Sequence, residues 1–158
     1  MKIHRSPHLL VGAAVAIGGF LLAGCEYDFP IAPKPTRAID AKLMGDWVSV
    51  DGKDTMKVRQ LDDTTYVVSY NHELYSAIHT DLESVPFVSV LHLDPTNRKY
   101  AFLTWALSDG DSRLRLRVVS SKVIAKDTRD SAALQAQLKR QAGNPDLFGF
   151  QQDYTRAK

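Results

Sequence analysis

The sequence lacks several features that would point to a function. It contains one cysteine, Cys25, and no C-x-x-C pair, which excludes an internal disulfide and the common redox and zinc motifs. It also has no excess of charge of either sign. With Lys2 and Arg5 set aside, the chain from position 25 onward carries 18 basic and 18 acidic residues. A neutral domain exerts no long-range attraction on nucleic acid, so we expect no nucleic-acid partner.

Catalytic motifs are missing as well. The sequence has no G-x-S-x-G or S-x-x-K nucleophile motif, no glycine-rich phosphate loop and no H-E-x-x-H. We therefore expect neither an enzyme nor a cofactor. The histidines after position 25 are His72, His79 and His92. One alternative stays open: His79 and Asp81 share a strand face, and His92 follows on the next strand, so that these three ligands could hold Zn²⁺. The preferred interpretation is that they are polar residues on the solvent face of a hairpin, with no metal.

The first 25 residues form a recognisable export signal. A short basic stretch, residues 1–8, precedes 14 uncharged and mostly apolar residues, 9–22. That run is too short for a membrane-spanning helix, which needs about 20 residues, and has the length of a signal-peptide core. It leads into Leu22-Ala23-Gly24-Cys25, which resembles the bacterial lipobox. The alternative is a membrane-anchoring helix with an incidental cysteine.

The lipobox resemblance implies a processing route and a location. Residues 1–24 are then a signal peptide, and acyl chains on Cys25 fix the mature protein to a membrane. Residue 26 is Glu rather than Asp. By analogy with enteric sorting, this favours the outer membrane of a bacterial envelope, facing the periplasm.

Residues 25–40 are interpreted as a lipidated cysteine followed by a proline-rich tether. Pro30, Pro33 and Pro35 interrupt this stretch, and it shows neither helical nor alternating periodicity. Extended polyproline geometry, at about 3.1 Å per residue, would let it hold a domain up to roughly 45 Å from the lipid. A chain starting near Ala38 should then fold by itself. The alternative is that Tyr27 and Phe29 pack on the domain or enter the membrane interface.

Residues 41–158 are predicted to be mainly β. Short alternating apolar runs are separated by turn signals such as Asp51-Gly52, with roughly one strand every 10–14 residues. This spacing predicts an antiparallel meander that closes into a β-barrel. A weaker apolar run at residues 123–125 is a candidate eighth strand, and residues 147–150 are a candidate final strand or hydrophobic plug.

One helix is predicted in the C-terminal half, near residues 130–142. Asp130 or Ser131 can cap its start. Three apolar residues lie on one face, and Gly143 with Pro145 would end it; those three are Leu134, Leu138 and Ala142. Because this stripe is narrow, we expect the helix to pack across a barrel end or the outer face of the barrel.

Several of these residues resemble a group of small bacterial lipocalin-like lipoproteins. Gly45-Asp46-Trp47 is similar to the lipocalin G-x-W signature, in which the tryptophan closes the barrel floor. The late Ser131-x-x-Leu134-Gln135 and Asp146-Leu147-Phe148 segments extend the resemblance over roughly residues 42–150. It implies a lipocalin-like barrel. The second lipocalin motif, T-D-Y, is absent, which argues against ligand binding of the true lipocalin kind.

One charged stripe is a candidate binding surface. Arg113, Arg115 and Arg117 alternate with apolar residues and should point outward together, either towards an anionic partner or simply into solvent. We expect a lipid-anchored, non-catalytic envelope module that docks an unidentified envelope protein or cell-wall component. The alternative is a lipocalin-like carrier or sensor of a small apolar ligand, which would need an unfilled barrel.

Overall fold

A computed structural model describes residues 27–96 and 98–158; the predicted signal peptide and Cys25 lie outside the described residues. A short 3-10 helix, Ala41–Leu43, leads into eight strands and one α-helix. In order they are β1 Gly45–Ser49, β2 Thr55–Gln60, β3 Thr65–Tyr70, β4 Glu73–Leu82, β5 Val85–His92, β6 Tyr100–Ser108, β7 Arg113–Val119, α1 Ser131–Arg140 and β8 Phe148–Arg156. Within the described part of the chain, α1 falls short of what crossing a bilayer would require in length and apolar character.

The strands form a closed barrel. Each pairs antiparallel with its neighbours in sequence, and β1 closes the sheet by pairing with β8. The prediction of a mainly β protein with a closed antiparallel barrel and one helix in its C-terminal half is confirmed. Residues 123–125 do not supply the eighth strand, because the amides of Val123 and Ile124 both bond back to the Ser120 carbonyl, at 3.1 and 2.9 Å, in a turn.

The barrel has two ends, named here for the residues that mark them. The Gly45 end carries the start of β1 and the turns at residues 61–64, 83–84 and 109–112. The Asn71 end carries the turns at residues 50–54, 71–72 and 93–99.

The interior of the barrel is one hydrophobic core. Alternate residues of the strands point inward, as in β7, where Leu114, Leu116 and Val118 are buried and the arginines between them are exposed. The interior core comprises Leu43, Trp47, Met56, Val58, Tyr66, Val68, Tyr70, Tyr75, Ala77, Val88, Val90, Leu103, Trp105, Leu114, Leu116, Val118 and Tyr154. Alternation therefore identified the inward face of this strand.

A second core lies on the outside of the barrel wall. In β5 and β6 consecutive residues are buried, so both faces of these strands are covered. The outer core comprises Tyr27, Ile31, Leu82, Phe87, Phe102, Val119, Ile124, Leu134, Leu138 and Leu147. Its cover is thus supplied by the helix and by residues that precede the barrel.

The expectation of a solvated tether at residues 25–40 is wrong for the residues that the structure describes. The backbone of Tyr27 exchanges two hydrogen bonds with that of Tyr100, with N···O distances of 2.8 and 2.9 Å. The side chains of Tyr27 and Ile31 are fully buried in the outer core. The prolines interrupt regular structure, but burying the apolar side chains of this segment against the wall still stabilises the folded protein. For Tyr27, the alternative of packing on the domain holds.

The helix packs on this outer wall, one of the two expected positions. The carboxylate of Asp130 accepts a hydrogen bond from the Ala133 amide at 2.7 Å, which caps the helix. Leu134 and Leu138 are buried against the wall. The helix ends at Arg140, so Ala142 does not extend its apolar face as predicted.

The G-x-W segment closes the barrel at the Gly45 end. The indole N–H of Trp47 donates to the Leu43 carbonyl at 3.0 Å, and the guanidinium of Arg156 lies 4.4 Å from the centre of the Trp47 ring. Arg156 also donates to the Met44 carbonyl at 2.9 Å. Gly45 has a φ of +144°, and a Cβ there would collide with the guanidinium. The glycine is needed to let Arg156 cover the tryptophan.

Candidate binding surfaces of the barrel

Among the residues that the structure describes, the cavity found inside the barrel is small. Its volume is about 30 Å³, enough for one or two water molecules and far below the roughly 300–1,000 Å³ of a ligand pocket. The lining side chains are Met56, Val68, Tyr70, Tyr75, Val90, Leu103, Trp105, Leu116 and Val118. The interior is therefore filled by side chains contributed by six of the strands.

Two buried phenols lie towards the Asn71 end of the interior. The hydroxyls of Tyr70 and Tyr154 have no hydrogen-bond partner of normal geometry among the described residues. Burial raises the pKa of both, and the negative charge of Asp54 adds to the effect. That carboxylate is held by Asn71 at 2.6 Å and by Gln152 at 3.2 Å. Phenols that stay neutral in this way are not activated nucleophiles.

His79 lies inside the barrel, contrary to the expectation of a residue on a solvent-facing hairpin. Its side chain is buried, with the residue only 2% exposed. Its Nε2 lies 3.0 Å from the Tyr66 hydroxyl, and its Nδ1 lies 3.2 Å from Nη2 of Arg37. Because a guanidinium can only donate, Nδ1 must accept and the ring proton must sit on Nε2. Burial first, and then the charge of Arg37, lowers the pKa of His79 to about 4.

The zinc alternative is wrong because its candidate ligands are far apart. His92 lies at the Asn71 end, directly opposite Tyr75 in the β4–β5 ladder. His79 lies four positions further along β4 than Tyr75, a distance of about 13 Å. His72 is exposed in the turn between β3 and β4. In residues 27–96 and 98–158, no cluster of histidine and carboxylate side chains has the spacing of a metal site.

The arginine stripe points outward as predicted, and each arginine has a partner within the barrel wall. Arg115 forms a bidentate ion pair with Asp153, at 2.7 and 3.0 Å, which raises the pKa of the guanidinium and lowers that of the carboxyl. Nε of Arg113 lies 3.2 Å from a carboxylate oxygen of Asp109.

Arg117, the third arginine of the stripe, lies over an aromatic ring. Its guanidinium carbon is 4.3 Å from the centre of the Phe148 ring. The pairing of Arg115 with Asp153 follows from the strand register, because β8 places Asp153 directly opposite Arg115. The stripe is thus partnered with the β6–β7 turn and β8: carboxylates pair with Arg113 and Arg115, whereas the ring beneath Arg117 carries no charge.

The N-terminal segment is the feature that sequence reasoning missed. Besides covering the outer wall, it reaches the buried histidine: the Thr36 amide donates to the His79 carbonyl at 3.0 Å, and Arg37 lies 3.5 Å from Asp81. The Ile31 amide donates to Ser89 Oγ at 3.3 Å. The sequence of β5 does indicate that such a segment exists, because apolar residues on both faces of the strand require burial on both sides. Periodicity does not say which segment provides that cover.

The described surface also carries exposed apolar side chains. At the Asn71 end these include Leu74, at 52% exposure, and Leu93, at 40%. Phe29, at 36%, follows the point where the N-terminal segment joins the wall. Leu61, at 61%, lies at the opposite, Gly45 end.

No protein-family model, curated protein or solved structure matches this chain. The features that bear on function are therefore its own: the predicted lipobox at Cys25 and the packed interior of the barrel.

Proposed function

We propose that this protein is a lipid-anchored envelope lipoprotein of the lipocalin-like kind, held by acyl chains on Cys25 in the outer membrane and facing the periplasm. Its barrel serves as a non-catalytic module that docks an envelope protein or a cell-wall component. The observation that carries the docking role is the filled interior, whose cavity of about 30 Å³ leaves the outside of the barrel as the surface that can recognise a partner.

The alternative, a carrier of a small apolar ligand, has the apolar lining of the interior in its favour. Its difficulty is volume. A ligand of even ten heavy atoms needs several times the space that the cavity offers, so side chains of the lining, such as Tyr70 and Trp105, would have to move to admit it. The docking role requires no such rearrangement.

An enzymatic role has less support. The buried His79 is engaged by Arg37 and Tyr66 and stays neutral above a pH of about 4. Its Nε2, which faces the Tyr66 hydroxyl, already carries the ring proton, so it does not act as a base towards that hydroxyl. Its partners make it a structural connection between the N-terminal segment and the barrel.

The anchor is tested first. Cells expressing the wild-type chain or Cys25→Ser are labelled with a fatty-acid analogue. We expect the label on the wild-type protein alone, together with a precursor of higher mass in the variant. Equal labelling of the two proteins would refute the anchor.

The docking role is tested by site-specific photo-crosslinking in intact cells. A photoreactive amino acid replaces Lys57 on the uncovered wall, Leu61 at the Gly45 end or Arg140 at the end of the helix, all of which are exposed. We expect one face to give a discrete protein or peptidoglycan adduct while the other two serve as matched controls. No adduct from any face, together with an apolar molecule that copurifies in equal amount with the barrel, would favour the carrier.

A further inference from the structure

The structure fixes the chain two residues after the proposed lipidation site. Tyr27 is hydrogen-bonded to the backbone of Tyr100, and its hydroxyl donates to the Ile124 carbonyl at 2.9 Å. Asp28 forms an ion pair with Lys99. The Cα atoms of residues 25 and 27 can be at most about 7 Å apart, because each residue spans no more than about 3.6 Å. The reach from lipid to barrel is therefore a few ångströms, instead of the 45 Å of an extended tether.

Exposed apolar side chains lie at the same end of the barrel as this attachment point. Tyr100 begins β6 at the Asn71 end and pairs with Leu91 of β5. Just beyond Leu91, the amide of Leu93 donates to the Leu74 carbonyl at 3.0 Å, so these two exposed leucines are neighbours. Two strand spacings and two residues along a strand place Leu93 roughly 12 Å from Tyr27, and the third strand spacing places Leu74 roughly 16 Å from it.

We name Phe29, Leu74 and Leu93 the apolar rim. Charges of both signs lie beside it. Lys99 pairs with Asp28, and, when protonated, His92 pairs with Glu73 at 3.9 Å. Exposed Asp94 and Arg98 belong to the turn that follows Leu93. The rim therefore presents apolar area without a net field of one sign. Such a surface suits the boundary between lipid headgroups and acyl chains, where amphipathic elements bury their apolar side.

We propose that the barrel lies directly on the bilayer, with the apolar rim inserted into the interface and the Gly45 end directed away from it. The inference rests on the acylation of Cys25 in the proposed function. A small rim is enough to hold the barrel against the membrane because the link between Cys25 and the barrel is short. A link of a few ångströms keeps the rim at high effective concentration beside the lipid. Three side chains without the anchor would bind only weakly.

The sequence offers a clean probe. Cys25 is the only cysteine, and acylation blocks its thiol, so a cysteine introduced elsewhere is the one free thiol of the mature lipoprotein. Leu74→Cys and Leu93→Cys report on the rim. Leu61→Cys is the matched control, because it replaces an equally apolar and exposed leucine at the opposite end.

Each full-length lipoprotein is labelled with a nitroxide and reconstituted in vesicles of phosphatidylethanolamine and phosphatidylglycerol. Collision with oxygen, which concentrates in lipid, is compared with collision with a water-soluble nickel chelate. We expect the oxygen-to-nickel ratio to be several-fold higher at positions 74 and 93 than at position 61. Equal ratios at the three positions would overturn the proposal.

Two further outcomes are informative. Spin–spin broadening at positions 74 and 93 would mean that a second copy of the chain covers the rim, which also overturns the proposal. Failure of the anchor has a different signature, because the protein would leave the vesicle fraction and Cys25 itself would take up the label. Unchanged thermal unfolding of the labelled variants verifies that the barrel is intact.

Discussion

The interior of the barrel and the outer wall over β5 and β6 are both buried, but they are assembled from different parts of the chain. The interior core is filled almost entirely by strand residues, each with a place fixed by alternation along its strand. The outer core joins the wall to the helix and to Tyr27 and Ile31, which precede the barrel. A β-barrel can thus contain its own core and still depend on a distant segment to cover its outer surface.

The largest expected effect comes from removing that segment. A chain starting at Ala38 loses Arg37 and the two buried side chains of Tyr27 and Ile31. Removing one large buried side chain lowers the free energy of unfolding by about 2–5 kcal/mol. We expect the free energy of unfolding to fall by roughly 5 kcal/mol or more, a large part of the stability of a small domain. Urea denaturation measures this, with a chain starting at Glu26 as the control. Equal midpoints for the two chains would mean that the outer core contributes nothing.

The next effect concerns the interior core. Trp47→Ala removes a buried ring, its hydrogen bond to Leu43 and the surface on which Arg156 rests. We expect a loss of about 3–5 kcal/mol in the free energy of unfolding. Val48→Ala, on the outward face of the same strand, should cost much less. A loss below about 1 kcal/mol for Trp47→Ala would show that the G-x-W segment does not close the barrel.

The third effect arises where the two regions meet, at His79. The pKa of His79 is about 4 in the folded protein and about 6.5 in the unfolded chain, so between these values the unfolded state binds more protons. Stability should therefore fall as the pH is lowered from about 6.5 to 4, by up to about 3 kcal/mol. Urea unfolding at several pH values measures the slope. His79→Gln keeps hydrogen-bonding groups and should flatten it; an unchanged slope in this variant would assign the effect to other groups.

The smallest effect on stability is expected for the solvent-exposed face of β7. Replacing Arg115 and Arg117 with Gln removes an exposed ion pair and an exposed cation–π contact, both of which contribute little in water. The melting temperature should change by less than about 4 °C. The crosslinking pattern in cells should also persist. Loss of an adduct from a variant that still folds would turn this stripe into a partner-binding surface.

The sequence predicts strands that have one face in solvent better than strands that are buried on both faces. In β7, alternation of leucine with arginine identified the inward face, because solvent covers the other face. In β5 both faces are apolar, and a period of two then says nothing about what covers each side.

The environment of His79 was beyond reach for a related reason. A histidine in an alternating strand is ordinarily placed in solvent, and its burial here depends on Arg37, which lies 42 residues earlier in a stretch without periodicity. Long-range pairing of this kind leaves no local pattern. The prolines of this stretch predict a spacer, whereas Tyr27 and Ile31 are in fact buried on the wall of the barrel.

The cover over Trp47 has a consequence for how the chain folds. Arg156 donates to the carbonyls of Lys42 and Met44, residues 114 and 112 positions earlier in the sequence. The pairing of β1 with β8 spans a comparable separation. Contacts this remote raise the contact order and slow folding towards the millisecond-to-second range of other β-barrels. The chain must therefore keep Trp47 uncovered until Arg156 has arrived, and a chaperone that shields its first strand would find its binding site open during that interval.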